Sequence, residues 1–118
     1  MNSGQTQIRP HFNDTSASAR VEQRPDGSIT VVLAGEIDHD GMATIERTLH
    51  QASTDARGVL RLDCAGVTFV DSAGLRSILQ AQITASDRGV RFALVNPAET
   101  VSRLLQLTGL DSLISGDD

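Results

Sequence analysis

The sequence predicts an α/β domain, a small mixed sheet crossed by helices in the order β-β-α-β-α-β-α. Three observations carry that expectation. A turn, Pro25-Asp26-Gly27-Ser28, separates a short strand candidate from the β-branched run Ile29 to Ala34. Three later segments place apolar residues at helical spacing, and each ends on a glycine. Phe92-Ala93-Leu94-Val95 is apolar at every position, the pattern of a strand covered on both faces. A hairpin followed by helix–strand alternation implies a sheet that is mostly parallel after its first strand, with crossover helices.

Residues 1–19 are polar, rich in Ser, Thr, Asn and Gln, and show neither helical nor strand periodicity. They are expected to be a flexible leader, with a single domain over 20–118. Val21 to Arg24 reads as an edge strand. In the turn after it, Pro25 presets φ, Asp26 bonds locally and Gly27 accepts positive φ. Ile29 to Ala34 returns antiparallel. Met42, Ile45, Leu49 and Ala52 share one face of the first helix. Leu75, Ile78, Leu79 and Ile83 share a face of the second, and Val101, Leu104 and Leu105 of the third. Asn96-Pro97 opens the third helix, with Pro97 expected at its first position. The helices are expected to end alike, at Arg57-Gly58-Val59, Arg88-Gly89-Val90 and Thr108-Gly109-Leu110. In each, glycine takes a left-handed stop and the next aliphatic residue folds back. The first two stops lead straight into strands, Val59 to Asp63 and Arg91 to Val95.

Composition limits the function. At 118 residues the chain has room for one domain, and its aromatics are three Phe with no Tyr or Trp. The core is therefore built from Leu, Ile, Val and Ala, and no stacking platform for single-stranded nucleic acid exists. A net charge of −5 argues further against direct nucleic-acid binding. Cys64 is the single cysteine, so an internal disulfide is impossible, and it reads as a small buried apolar residue. No apolar run is long enough for a membrane span and no signal-peptide pattern opens the chain, so a cytoplasmic protein is expected. His11, His39 and His50 are scattered, none at metal-ligand spacing, and no metal or cofactor is expected. A Gly-rich phosphate cradle with Lys-Ser or Lys-Thr is absent, which assigns ATP to a partner.

The most informative stretch is Phe69-Val70-Asp71-Ser72-Ala73-Gly74-Leu75. It sets a small hydroxyl, Ser72, at the first turn of a helix, where free N–H groups and the helix dipole favour an anion. The plainer account is that Asp71 or Ser72 caps the helix, and the two accounts are compatible. A hydrolase nucleophile is disfavoured. Val70 and Gly74 flank Ser72 where Gly-x-Ser-x-Gly needs two glycines, and no His follows in the required order. No catalytic residue is assigned. Glu36 and Asp38 end the second strand, and carboxyl ends of strands gather on one rim, which brings this loop towards Ser72. Asp40 is the better cap for the first helix and Asp38 the better functional acid, while Glu36 fits either role. Asp63 closes the third strand and is expected to cap or turn there.

This stretch resembles the signature of the STAS-domain family, whose single-domain members are anti-sigma factor antagonists. The likeness extends through Val31-Val32-Leu33-Ala34-Gly35-Glu36-Ile37-Asp38, Leu60-Arg61-Leu62-Asp63, Gly66 to Leu75, and Leu104-Leu105-Gln106-Leu107-Thr108-Gly109-Leu110. It implies a sheet of four or five strands with three or four packed helices. It also implies phosphorylation of Ser72 by an anti-sigma factor that is a serine kinase, with removal of the phosphate by a serine phosphatase. The unphosphorylated chain would bind that kinase and free a sigma factor. Glu36, Asp38, His39, Asp71, Ser72, Ala73 and Gly74 would form the partner surface. Ala73 stands where many relatives carry serine, which leaves Ser72 as the acceptor, and Gly74 keeps the helix start open to another backbone. The same resemblance allows an alternative, a STAS subunit or scaffold of a larger stress-signalling or transport assembly.

Overall fold

A computed structural model describes residues 17–38 and 42–114. Strand β1 (Ser18–Gln23) pairs antiparallel with β2 (Ile29–Ile37). Helix α1 (Met42–Asp55), β3 (Val59–Val70), α2 (Ser72–Asp87), β4 (Arg91–Val95) and α3 (Glu99–Leu107) follow, then a 3₁₀ turn over Asp111–Leu113. The sheet has four strands in the order β1-β2-β3-β4, with β2, β3 and β4 parallel. Stepping through adjacent parallel strands in one direction puts α1 and α2 on the same face, where they pack against each other. Ile114 adds an isolated parallel bridge to Leu94 of β4.

The hairpin closes as its composition dictates. Asp26 Oδ1 accepts hydrogen bonds from the backbone N–H and hydroxyl of Ser28, and Gly27 sits at φ 91°. Ile29, Val31 and Leu33 of β2 and Leu60, Leu62 and Cys64 of β3 form the middle of the core. Ile45 and Leu49 of α1, Ile78 of α2, and Val101 and Leu105 of α3 close over them. Each large aliphatic buried this way contributes roughly 1.5–3 kcal/mol. Cys64 is fully buried, as its sequence position suggests, and burial pushes its thiol up to about 12.

Several expectations need correcting. The sheet takes in Ser18 and Ala19, which pair with Ala34 and Leu33, so β1 begins inside the expected leader; residues 1–16 lie outside the described part. Strand β2 runs three residues beyond Ala34, and β3 continues past Asp63 to Val70. Asp63 is thus inside a strand. Its Oδ1 accepts from Ala65 N at 3.0 Å, a local turn at a break in the ladder. The buried side of α2 is Gly74, Ser77, Ile78, Ala81 and Ala85, while Leu75 and Leu79 are half-buried and Ile83 is exposed. Small residues face inward because α2 lies close against both α1 and the sheet. Pro97 does not open α3: Ala98 is extended (ψ 159°) and its carbonyl takes the N–H groups of Val101 and Ser102, so the helix starts at Glu99.

The three helix ends are not alike. Gly89 and Gly109 close α2 and α3 with the paired bonds Val90 N to Ala85 O and Leu110 N to Leu105 O, the glycine N–H reaching Ser86 O and Gln106 O. At the end of α1, Arg88 Nη1 donates to Ser53 O and Ala56 O instead, and Arg57 N donates to Gly27 O of the hairpin.

Candidate functional site

Two adjacent parallel strands end level with each other. Ile37 of β2 pairs with Val70 of β3, so Asp38 and Asp71 leave the sheet side by side. Asp71 N donates to Ile37 O at 3.2 Å, tying the two exits together. Register makes this possible. At two shifts, Val32/Ala34 and Gly35/Glu36, β3 carries the extra residue, which bends it and brings Val70 level with Ile37.

Asp71 turns the chain into α2. Its backbone is extended (φ −97°, ψ −175°) and its Oδ1 accepts from Gly74 N at 2.9 Å, while its carbonyl takes Leu75 N. Asp71 is therefore the cap, and Ser72 is released from that duty. Ser72 is the first helical residue and is exposed. Ala73 beside it is half-buried and packs on the core.

Gly74 is buried, and the reason differs from the expected one. A Cβ there would lie 2.6 Å from Ile37 O, 2.9 Å from Ile37 Cγ2 and 3.1 Å from Val70 Cγ1. The backbone that approaches this glycine is the chain's own β2 exit. Its small size locks the Ser72 turn to the Asp38 corner.

Asp38, Asp71, Ser72, Ala73 and Gly74 thus share one corner, with Asp38 half-buried. Glu36, half-buried, sits one pair further back, opposite Phe69. His39, Asp40 and Gly41 lie outside the described residues, as does His11; His50 is exposed on α1. Two side chains given no role by the sequence reading adjoin the corner. Phe69 is 46 % exposed, an aromatic turned to solvent by the β3 irregularity. Arg76 is one turn along α2 from Ser72, at i+4, a spacing legible in the sequence. Among the described residues no group of three or more His, Cys, Asp or Glu is placed to hold a metal. No described helix is long and apolar enough to cross a membrane.

A family model described as "Mlab, STAS domain" matches residues 21–115. The chain belongs to the STAS-domain family. The sheet of four strands and three α-helices is within the range that membership implies. This STAS domain is 28% identical over 97 residues to the anti-sigma-B factor antagonist of Listeria monocytogenes, covering 82% of this chain and 85% of that protein. An anti-sigma factor antagonist from Mycobacterium paratuberculosis superposes with a TM-score of 0.76 at 26% identity, over 87% of this chain and 86% of that one. The unphosphorylated anti-sigma factor antagonist SpoIIAA shares the fold, with a TM-score of 0.73 at 22% identity over 86% and 89% of the two chains.

Proposed function

We propose that this STAS domain is an anti-sigma factor antagonist switched by phosphorylation of Ser72. Unphosphorylated, it binds an anti-sigma factor with serine kinase activity through the corner of Glu36, Asp38, Asp71, Ser72, Ala73 and Gly74, with His39 beside them, and a sigma factor is released. The kinase transfers the γ-phosphoryl group of ATP to Ser72 Oγ. An O–P bond forms, ADP leaves, and the hydroxyl proton passes to a base on the kinase. A serine phosphatase hydrolyses the ester and restores the hydroxyl. This chain is acceptor and ligand throughout, and the cycle places it in the cytoplasm.

The observation that carries this reading is the exposed Ser72 hydroxyl, uncommitted because Asp71 does the capping, at the exit shared with Asp38. The Listeria and Mycobacterium relatives, named as antagonists, support it. Magnitudes locate the effect. Phosphate adds about −1.5 to −2 charges near neutral pH. At an exposed helix N-terminus an anion is favoured by roughly 0.3–1 kcal/mol, so the free domain tolerates it. Enclosing it beside Asp38 and Asp71 in an interface whose partner supplies no counter-charge costs several kcal/mol, and about 3 kcal/mol already weakens association some hundredfold.

The test mixes the protein with its anti-sigma kinase and ATP. Mass spectrometry should find one phosphate on Ser72 and none on Ser72→Ala. Ser72→Ala should stay bound to the kinase, while Ser72→Asp should bind poorly and melt close to wild type. Equal binding by both variants refutes the switch. Membership of the STAS-domain family also allows a second reading, a subunit or scaffold of a larger stress-signalling or transport assembly. Pull-down of a transporter ATPase in place of a kinase would select it.

A further inference from the structure

We propose that Arg76 is the intramolecular counter-charge of phosphorylated Ser72, folding over the phosphate and leaving the partner surface when the switch is thrown. The inference rests on the reading of Ser72 as the phospho-acceptor and adds what the modified state does. Ser72 and Arg76 occupy positions i and i+4 of α2, one above the other on the same face of the helix. Side chains on a helix tilt towards its N-terminus, so a long residue at 76 covers the turn that holds Ser72. Ser72 and Arg76 are both exposed, and among the described residues Arg76 has no hydrogen-bond or ion-pair partner. Its guanidinium is free to move, and its planar fork matches a phosphate with two parallel N–H···O bonds.

The surroundings make the pairing selective for the modified state. The neutral hydroxyl of Ser72 offers nothing to compete with water for a guanidinium. Arg76 instead lines the rim of the groove between α1 and α2, with Glu46 and His50 across from it. Glu46 Oε2 accepts from Ser77 Oγ at 3.3 Å. A dianion at Ser72 attracts the guanidinium more strongly than that single carboxylate does. It is itself disfavoured by Asp71 on the same turn and by Asp38 at the β2 exit, which increases the benefit of a nearby cation. Phosphorylation therefore changes the corner twice: an anion is added, and a cation available to a partner's carboxylate is withdrawn.

Phosphoserine installed at position 72 during translation tests this without the kinase. The second phosphate pKa, near 6 for a free phosphoserine, is followed by phosphorus NMR. In Arg76→Ala it should rise by about half a unit or more relative to the otherwise wild-type phosphoprotein, the effect of one charge about 4 Å away in water. Arg76→Lys should recover part of the difference, and raised salt should shrink it. Glu46→Gln and His50→Gln, made alone, should leave the shift produced by Arg76→Ala in place. Without phosphate, Arg76→Ala should melt like wild type, which separates charge pairing from a structural role. Identical phosphate titrations with and without the Arg76→Ala change would overturn the inference. Failure of the kinase to label Ser72 would instead overturn the proposed function and leave this result standing.

Discussion

Replacing Gly74 with alanine sets two effects against each other, and the structure says which wins. In a helix interior, glycine to alanine is worth about 1 kcal/mol of stabilisation from propensity alone. Here the added methyl would stand 2.6 Å from Ile37 O, so reaching ordinary contact near 3.4 Å demands a shift of about 0.8 Å. The obstructing atom is a backbone carbonyl in a paired strand, and it also accepts Asp71 N, so no rotamer change relieves it. Ile37 Cγ2 and Val70 Cγ1 close the other directions at 2.9 and 3.1 Å. Overpacking of this kind costs about 1–3 kcal/mol, and with a rigid obstacle the upper part of that range applies. The net expectation is a loss of about 1–2 kcal/mol. With a urea slope of about 1–3 kcal/mol/M, the unfolding midpoint should fall by about 0.3–2 M. Anti-sigma binding should fall as well, because the Ser72 turn is pushed off the Asp38 corner. A midpoint equal to or above that of wild type would show that β2 and α2 are not locked together, and the geometric account of the site would fail.

Three other perturbations follow from the same contacts. Asp71→Ala removes the acceptor for Gly74 N and should cost about 1 kcal/mol by thermal melting, while Asp71→Asn should keep most of that stability. Leu62→Ala, fully buried in β3 between β2 and β4, should lose about 2–5 kcal/mol in chemical denaturation. The thiol of Cys64, raised by burial from 9.0 to about 12, gives a pH dependence with a definite sign. Below pH 9 both folded and unfolded thiols are neutral and the contribution is fully present. Between 9 and 12 the unfolded thiol loses its proton first and stability falls. The chain has no Lys and no Tyr, so Cys64→Ala should flatten the decline of the urea midpoint over that range.

What was legible in the sequence followed local chemistry. The hairpin could be read because Pro25, Asp26 and Gly27 each act within four residues, and Asp26 does bond to Ser28. The face of α1 could be read because Met42, Ile45, Leu49 and Ala52 are its apolar residues at helical spacing, and all four are buried. On α2 the same rule chose Leu75, Ile78, Leu79 and Ile83, of which only Ile78 is buried, since periodicity counts large side chains and cannot see that a tight interface selects Gly74, Ser77 and Ala81. The extension of β3 to Val70 was hidden for a related reason. Its alternation is broken where the ladder shifts against β2, so Cys64-Ala65-Gly66 has no strand period of its own. The family signature pointed to Ser72, and Phe69 stood within that signature without a role because its exposure depends on the shift.

The sequence by itself determined the order of elements, the turn chemistry, the aliphatic core and the serine at the entrance of α2, because each depends on residues close together in the chain. Tertiary structure alone decided that Asp38 and Asp71 leave the sheet as neighbours and that Asp71, by taking Gly74 N, leaves Ser72 free. It also decided that Gly74 is required by the carbonyl of Ile37, far earlier in the chain. The first and third of those results come from the pairing register of β2 with β3, a long-range choice set by two irregularities in the ladder and carried by no single local pattern. The Asp71 cap, by contrast, is a local bond that settled which of two capping candidates the sequence offered.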